Sequence, residues 1–526
     1  MRESERLELS GEVVYRWGLL VAIVLVSGIA AWLVSPRFSI ETPSLVDDWQ
    51  AISLSSEELS RIARFESPEE QRFRPGWILW NYAQWHTFDA PQGLVGPNLW
   101  NLARILILVA GLSLMTALAL PRPPGRWGAV LHATLAGLPA LLVVAVPKFA
   151  RDLARFGPQE PLLVGGMALG GSLLVLAGRS LLDDSRPPRW LGTAALSIAG
   201  SGLWILGTYQ KETSLAVVPL IAAVLYAGRG RLAGWARLSR GRKLLLGGLA
   251  AAVVLPLAHV AIESARIAAR GDLVYGAEVD RGRGIVRGLL DLYDWAHEPL
   301  PPAARLIALG AFVVTGLVLV ARRKVDVIPL GALATGVLTL ALAGQAGFLA
   351  TRYYIPAYAL FAVALALSLA RLRPSLQLLG LLCIVFAFTP PPDTRAEVGR
   401  WAAEEERQGA LVRAVAGFEN AGCVVAMAGL DVEAREALPV LVGIEANRAG
   451  ASCAGDASYF VVGPHEQGAA LAAACAPGAL EPLVEVPGLA TLARCRQLGG
   501  TEVRDPELGL LAPQALVAMR RLRTAS

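Results

Sequence analysis

Eleven apolar runs recur along the sequence, at about 17–35, 99–120, 127–146, 161–178, 191–208, 214–227, 244–262, 304–321, 327–348, 354–370 and 375–389. Most are long enough for a helix to cross roughly 30 Å of hydrocarbon. In that medium each backbone N–H and C=O must be paired inside the structure, which leaves a bundle of spanning helices as the fold. A composition of 54% hydrophobic and 17% charged residues argues against an ordinary soluble domain. The formal charge of +5 is small for this length, and the basic residues cluster between the runs. That pattern suits membrane orientation, not nucleic-acid binding. The predicted fold is an α-helical polytopic membrane protein of about eleven transmembrane helices over residues 1–392. A small extracytoplasmic α/β domain over 393–526 is predicted to follow.

Arg2, Arg6 and Arg16 precede the first run, which ends in Ser35-Pro36-Arg37 with no small-x-small cleavage pattern. It is therefore predicted to be a retained span and not a cleavable signal. The loops at 121–126, 179–189, 228–243, 322–324 and 371–373 hold fourteen further arginines and alternate onto the side of the N-terminus. The positive-inside rule makes that side cytoplasmic, as in a bacterial inner (plasma) membrane. An odd number of spans then puts the tail outside. The loop at 263–303 also falls outside although it carries five arginines, and its length exempts it from the rule.

Four of the five cysteines, Cys423, Cys453, Cys475 and Cys495, lie in the tail. An even count in one polar domain suggests two disulfides in an oxidising compartment, and the spacing is not that of a zinc site. The tail begins after Pro390-Pro391-Pro392 and is predicted to run helix 396–418, strand 423–429, helix 432–443, strand 459–463 and helix 465–475.

The outer segments carry the chemistry. Val46-Asp47-Asp48-Trp49 opens the first outer loop, 36–98. Within it, 55–70 reads as a capped acidic helix. Arg72 to His86 then brings Arg74 and a run of tryptophans, Trp77, Trp80 and Trp85, that reads as a helix lying in the membrane interface. The second outer loop sets Lys148, Arg151 and Arg155 on one helical face, either to hold phosphate or to anchor at the interface. Lys211-Glu212-Thr213 opens a later span; taken alone, the adjacent Lys–Glu is a structural ion pair. Arg352-Tyr353 near Pro356 opens another, and Arg352 breaks the positive-inside trend, which marks it as a functional candidate. Asp183-Asp184 falls on the cytoplasmic side and reads as a solvated loop. His86, His132, His259, His297 and His465 are scattered with no metal-site spacing.

Outward-facing acids and cations around an apolar bundle suit a lipid-carried donor with a phosphate leaving group. A carboxylate takes the acceptor proton and cations stabilise the departing phosphate. The order of Asp47-Asp48, Phe73-Arg74-Pro75, Pro97-Asn98-Leu99-Trp100-Asn101, Lys211-Glu212-Thr213 and Arg352-Tyr353 resembles the GT-C superfamily of membrane glycosyltransferases, in its protein-mannosyltransferase-like branches. The resemblance covers about residues 10–390; one departure is Gly76, where the family's Arg-Pro is often followed by Leu. It implies transfer of a sugar from a polyprenyl-phosphate donor to an extracytoplasmic glycan, lipid or protein, with inversion at the anomeric carbon. It implies Asp47 or Asp48 as general base, the other orienting a loop or helping to hold a divalent metal ion. It also implies Lys211 and Arg352 on the donor phosphate, with Arg74, Lys148 and Arg151 as further candidates. Two alternatives stay open: a ligase or polymerase of lipid-linked oligosaccharides, and a non-catalytic transporter or scaffold of cell-envelope glycan assembly.

Overall fold

A computed structural model describes residues 3–39, 60, 74–86, 95–121, 125–155, 158–183, 189–232, 235–270, 302–322, 325–344, 351–387, 391–416, 424–428, 458–462, 475, 478–486 and 490–496. Contacts divide the chain into one unit of Met1–Arg37, Ser55–Phe88 and Gly96–Gly399 and another of Phe38–Leu54, Asp89–Val95 and Arg400–Ser526.

The first unit is helical: α1 (Glu3–Val34), α2 (Pro75–His86), α3 (Val95–Ala119), α4 (Gly125–Ala145), α5 (Pro147–Ala154), α6 (Glu160–Leu182) and α7 (Trp190–Thr208). After a 3-10 turn at Glu212–Val217 come α8 (Val218–Leu232), α9 (Arg240–Arg270), α10 (Pro302–Arg322) and α11 (Val327–Gly344). A second 3-10 turn, Thr351–Tyr354, leads into α12 (Ile355–Leu369), followed by α13 (Pro374–Ala387) and α14 (Pro391–Ala416), which continues into the second unit. Among the described residues nine helical stretches are long and apolar enough to cross a membrane; Val327–Leu342 and Pro374–Phe386 are apolar but shorter. Each predicted run is thus helical where it is described, and in two of them the described helix is shorter than a full span. Leu191, Ile198, Val320 and Phe386 point outward with 75% or more of their surface exposed, as lipid contact allows and water does not. The chain is an α-helical polytopic membrane protein.

Apolar side chains gain little by leaving lipid for one another, so close packing of small residues decides which helices pair. The α6–α7 contact shows this. A Cβ at Gly170 would lie 2.5 Å from the Trp204 nitrogen, and one at Gly207 would lie 2.7 Å from the Met167 nitrogen. The two backbones are in touch and antiparallel, so the first residue of α6, Glu160, meets the segment that follows α7.

The ends of the bundle differ. At one, Arg371 binds Asp326 and the Leu367 and Ala119 carbonyls, Arg179 donates to the Leu118 carbonyl, and Arg242 to that of Asp183. Helices α3, α6 and α12 each run from the opposite end to this one. There Asn101 and Arg104 bind the carbonyls that end α5, and Lys211 meets Glu160. The first turns of α14 are tied at the same end, with Thr394 donating to the Ala145 carbonyl (2.8 Å) and Arg395 to that of Trp32 (3.2 Å).

In the second unit a four-stranded sheet has the order β1 (Val424–Ala428), β2 (Ser458–Val462), β4 (Ala490–Cys495), β3 (Leu480–Val486). Strands β1 and β2 are parallel, while β4 is antiparallel to both of its neighbours. The β3–β4 hairpin was not predicted. Edge strand β3 carries Pro482, which has no N–H for the ladder, and the register shifts between Pro482 and Val484. Cys475 is disulfide-bonded. Cys423 and Cys453, the predicted helix at 432–443, all of 55–70 except Ser60 and all of 465–475 except Cys475 lie outside the described residues.

Candidate active site

The segment after α7 is the centre of the site. Lys211 is extended, with φ −163° and ψ 151°, and Glu212 starts the 3-10 turn that follows. Neighbouring side chains in that geometry diverge, and this corrects the expected Lys211–Glu212 pair. Lys211 Nζ donates to Glu160 Oε1 at 2.6 Å, with both side chains at least nine-tenths buried. Glu212 instead accepts from Arg74, whose Nε lies 3.2 and 3.3 Å from its two oxygens and whose Nη2 lies 3.2 Å from Oε2. The Gln159 amide completes the brace when it is turned so that both of its ends meet complementary partners: its oxygen then accepts from Arg74 Nη1 (3.1 Å) and its nitrogen donates to the Gln210 carbonyl (2.8 Å).

Gly76 explains how Arg74 arrives here. Its N–H donates to the Tyr209 carbonyl at 3.0 Å, and a Cβ on it would lie 2.8 Å from the Leu206 carbonyl oxygen. A leucine at this position has no room. The same contact turns the aromatic face of α2 inward, so that Trp77 and Trp80 are buried and Trp80 meets Trp100 edge-on at 4.8 Å. Helix α2 is present as predicted, but Trp77 and Trp80 face protein, which corrects the interfacial reading for them.

Lys211 Nζ also lies 3.4 Å from the centre of the Tyr353 ring, and the Arg352 guanidinium carbon lies 5.6 Å from the same centre. One ring therefore carries both cations expected to bind phosphate. Burial lowers the Lys211 pKa to about 8, opposed by the attraction of Glu160 and reinforced by Arg74.

Asp152, not singled out in the sequence, is the second buried acid here. It lies on α5 between Arg151 Nε and Arg155 Nη1, each 3.9 Å from its Oδ1, and only 2% of it is exposed. Burial raises its pKa against the pull of Arg155, Arg151 and Arg352, and Glu160 raises it further. Asp152 Oδ2 and Glu160 Oε2 have no hydrogen-bond partner among the described residues. The basic face of α5 thus holds a carboxylate at its centre. The Asn motif of α3 serves the same corner: buried Asn101 donates to the Ala154 carbonyl (2.8 Å), and Arg104 binds the carbonyls of Leu153 (3.2 Å) and Pro158 (2.6 Å).

Lys211, Arg352, Arg74 and Arg151 thus gather at one end of the bundle with Glu160, Glu212 and Asp152, and Lys148 stands on the first turn of α5 beside them. Asp47 and Asp48 lie outside the described residues. Among the described residues no three His, Cys, Asp or Glu side chains converge as a metal site. Glu160 was legible only as an acid heading an apolar run; its partner stands 51 residues away.

No protein-family model matches the sequence, and no curated protein matches it. Among solved structures the chain is similar to ArnT from Cupriavidus metallidurans in the apo state, at 14% identity and a TM-score of 0.48, over 91% of this chain and 98% of that one. It is also similar to the archaeal oligosaccharyltransferase AglB from Archaeoglobus fulgidus, solved with an inhibitory peptide and a dolichol-phosphate. That match has 14% identity and a TM-score of 0.44, over 77% of this chain and 59% of that one.

Proposed function

We propose that this protein is a membrane glycosyltransferase that moves a sugar from a polyprenyl-phosphate donor to an extracytoplasmic glycan, lipid or protein. The observation that carries the reading is the meeting of Lys211 and Arg352 on the Tyr353 ring, at the end of an apolar bundle and beside buried carboxylates. A phosphate attached to a prenyl chain needs cations next to hydrocarbon, and this end supplies both.

In the proposed reaction Asp47 or Asp48 takes the proton of an acceptor hydroxyl as its oxygen attacks the anomeric carbon. The bond from that carbon to the phosphate oxygen breaks, the anomeric centre inverts, and polyprenyl phosphate leaves with the bonding pair. Lys211 and Arg352 meet the charge that grows on the phosphate. Glu160 keeps Lys211 protonated despite its burial. Arg74 is committed to Glu212 and Gln159, so its part is to brace the loop that presents Lys211. Arg151 and Arg155 hold Asp152 toward the same space. The arginine-rich loops of the opposite end support placing this end outside the cytoplasm. The disulfide at Cys475 suits a tail on that side, with Cys423, Cys453 and Cys495 as the other proposed participants.

The test is incubation of the purified chain with labelled polyprenyl-phosphate sugars. Wild type should release polyprenyl phosphate and label an acceptor. Lys211→Ala, Arg352→Ala and the Asp47→Asn/Asp48→Asn double variant should each lose most of that turnover. Full activity in the double variant, or no turnover by wild type with any donor, would end the reading.

A further inference from the structure

At the opposite end of the bundle a cleft of about 350 Å³ opens between the last turns of α8 and α10 and the first turn of α11. Its walls include Tyr226, Arg229, Val318, Arg322, Val325 and Asp326. The size is that of a small-ligand site, and two guanidiniums dominate its charge. The Arg229 guanidinium lies over the Tyr226 ring at 3.8 Å, a stacking that sets its plane, and its N–H groups have no acceptor among the described residues. Arg322 is steadied by one bond to the Arg371 carbonyl. Asp326, the acid of the cleft, is paired with Arg371, which the Leu367 carbonyl (2.7 Å) and the Ala119 carbonyl (3.3 Å) hold in turn. The charge of Asp326, the one acid among the described residues lining the cleft, is thus neutralised from outside it, and a net positive field from Arg229 and Arg322 remains.

We propose that this cleft binds the phosphate of an anionic membrane lipid. The surroundings favour a lipid over a free anion. Val325 in its wall is 71% exposed, and Leu225, next to Tyr226 in sequence, is 57% exposed, an apolar surface against which acyl chains pack while the phosphate meets the arginines. A soluble phosphate gains the charge contact alone. The site lies at the far end of α8 from the Lys211 segment and is independent of the proposed sugar transfer.

The experiment is native mass spectrometry of the full, delipidated chain with phosphatidylglycerol, phosphatidylcholine or glycerol phosphate added in turn. Wild type should retain phosphatidylglycerol over phosphatidylcholine. Arg229→Ala/Arg322→Ala should weaken that retention roughly thirtyfold, taking the ordinary contribution of an arginine near an anionic surface at each position. Arg237→Ala/Arg240→Ala, which removes two exposed arginines of the same end outside the cleft, should leave it unchanged. Should Arg322 be needed for folding, Arg229→Gln alone still removes a surface cation whose contact is with the Tyr226 ring, and should lower retention several-fold. The proposal is overturned if the control pair loses as much as the cleft pair, if the two lipids bind equally, or if glycerol phosphate displaces the lipid at equal concentration.

Discussion

Replacing Glu160 by Gln removes the charge 2.6 Å from Lys211 Nζ and leaves a side chain of nearly the same shape. The pair is buried on both sides, so breaking it from one side costs about 3–5 kcal/mol. Lys211 responds by giving up its proton. Its pKa is already about 8, because burial outweighs the pull of Glu160. Removing about 3 kcal/mol of stabilisation from the ammonium lowers the pKa by about two units, to about 6. At pH 7 the protonated fraction then falls from roughly nine-tenths to roughly one-tenth, and phosphate binding falls with it. The assay is turnover in proteoliposomes between pH 5.5 and 8.5. Wild type should lose activity as pH rises through about 8, and the variant should lose it about two units lower, recovering in acid. A double-mutant cycle with Lys211→Met separates charge from shape: the double variant should be less destabilised than Glu160→Gln alone, since no unpaired ammonium stays buried. An unchanged pH profile in Glu160→Gln would refute the claim that this carboxylate governs the charge on Lys211.

Three further outcomes are expected. Asp152→Asn should raise the melting temperature at neutral pH and lower turnover: a carboxyl whose folded pKa is raised takes up more protons folded than unfolded, so its ionisation weakens the fold as pH climbs above the ordinary carboxylate range, and the gain should vanish in acid when scanned by differential fluorimetry. Gly170→Leu should destabilise the protein by about 1–3 kcal/mol or more, because backbone atoms 2.5 and 2.8 Å from the new Cβ cannot yield, whereas Gly178→Ala, whose nearest neighbour is 4.0 Å away, should be silent in the same thermal assay. Arg74→Lys should cost about 2 kcal/mol, read as a lower melting temperature, since an ammonium cannot reproduce the fork that grips Glu212 and Gln159.

What the sequence disclosed and what it hid divide along a physical line. Apolarity is a local property, so all eleven runs and the short strands Val424–Ala428 and Ser458–Val462 could be read from their residues alone. The hairpin of β3 and β4 could not, because Glu481, Pro482 and Glu485 break its pattern and only pairing across the turn makes it a sheet. The site divides the same way. Lys211, Arg352 and Arg74 stood out as cations at span ends, yet their partners Glu160, Tyr353 and Glu212 follow from how helices meet. Two glycines on α6 and α7 decide that meeting. Gly170 against Trp204 and Gly207 against Met167 bring two backbones into contact, and an antiparallel contact of that kind carries Glu160 to Lys211 without any attraction between them. The ion pair is then a consequence of packing and not its cause. It follows that Lys211→Met should leave the α6–α7 contact in place, while Gly170→Leu should disturb the Lys211 titration although it lies more than two turns along α6 from the charge. Cross-linking of cysteines introduced across α6 and α7 in Lys211→Met, and the pH profile of turnover in Gly170→Leu, test that order of causes: a normal profile in Gly170→Leu would mean the pair holds the helices together after all.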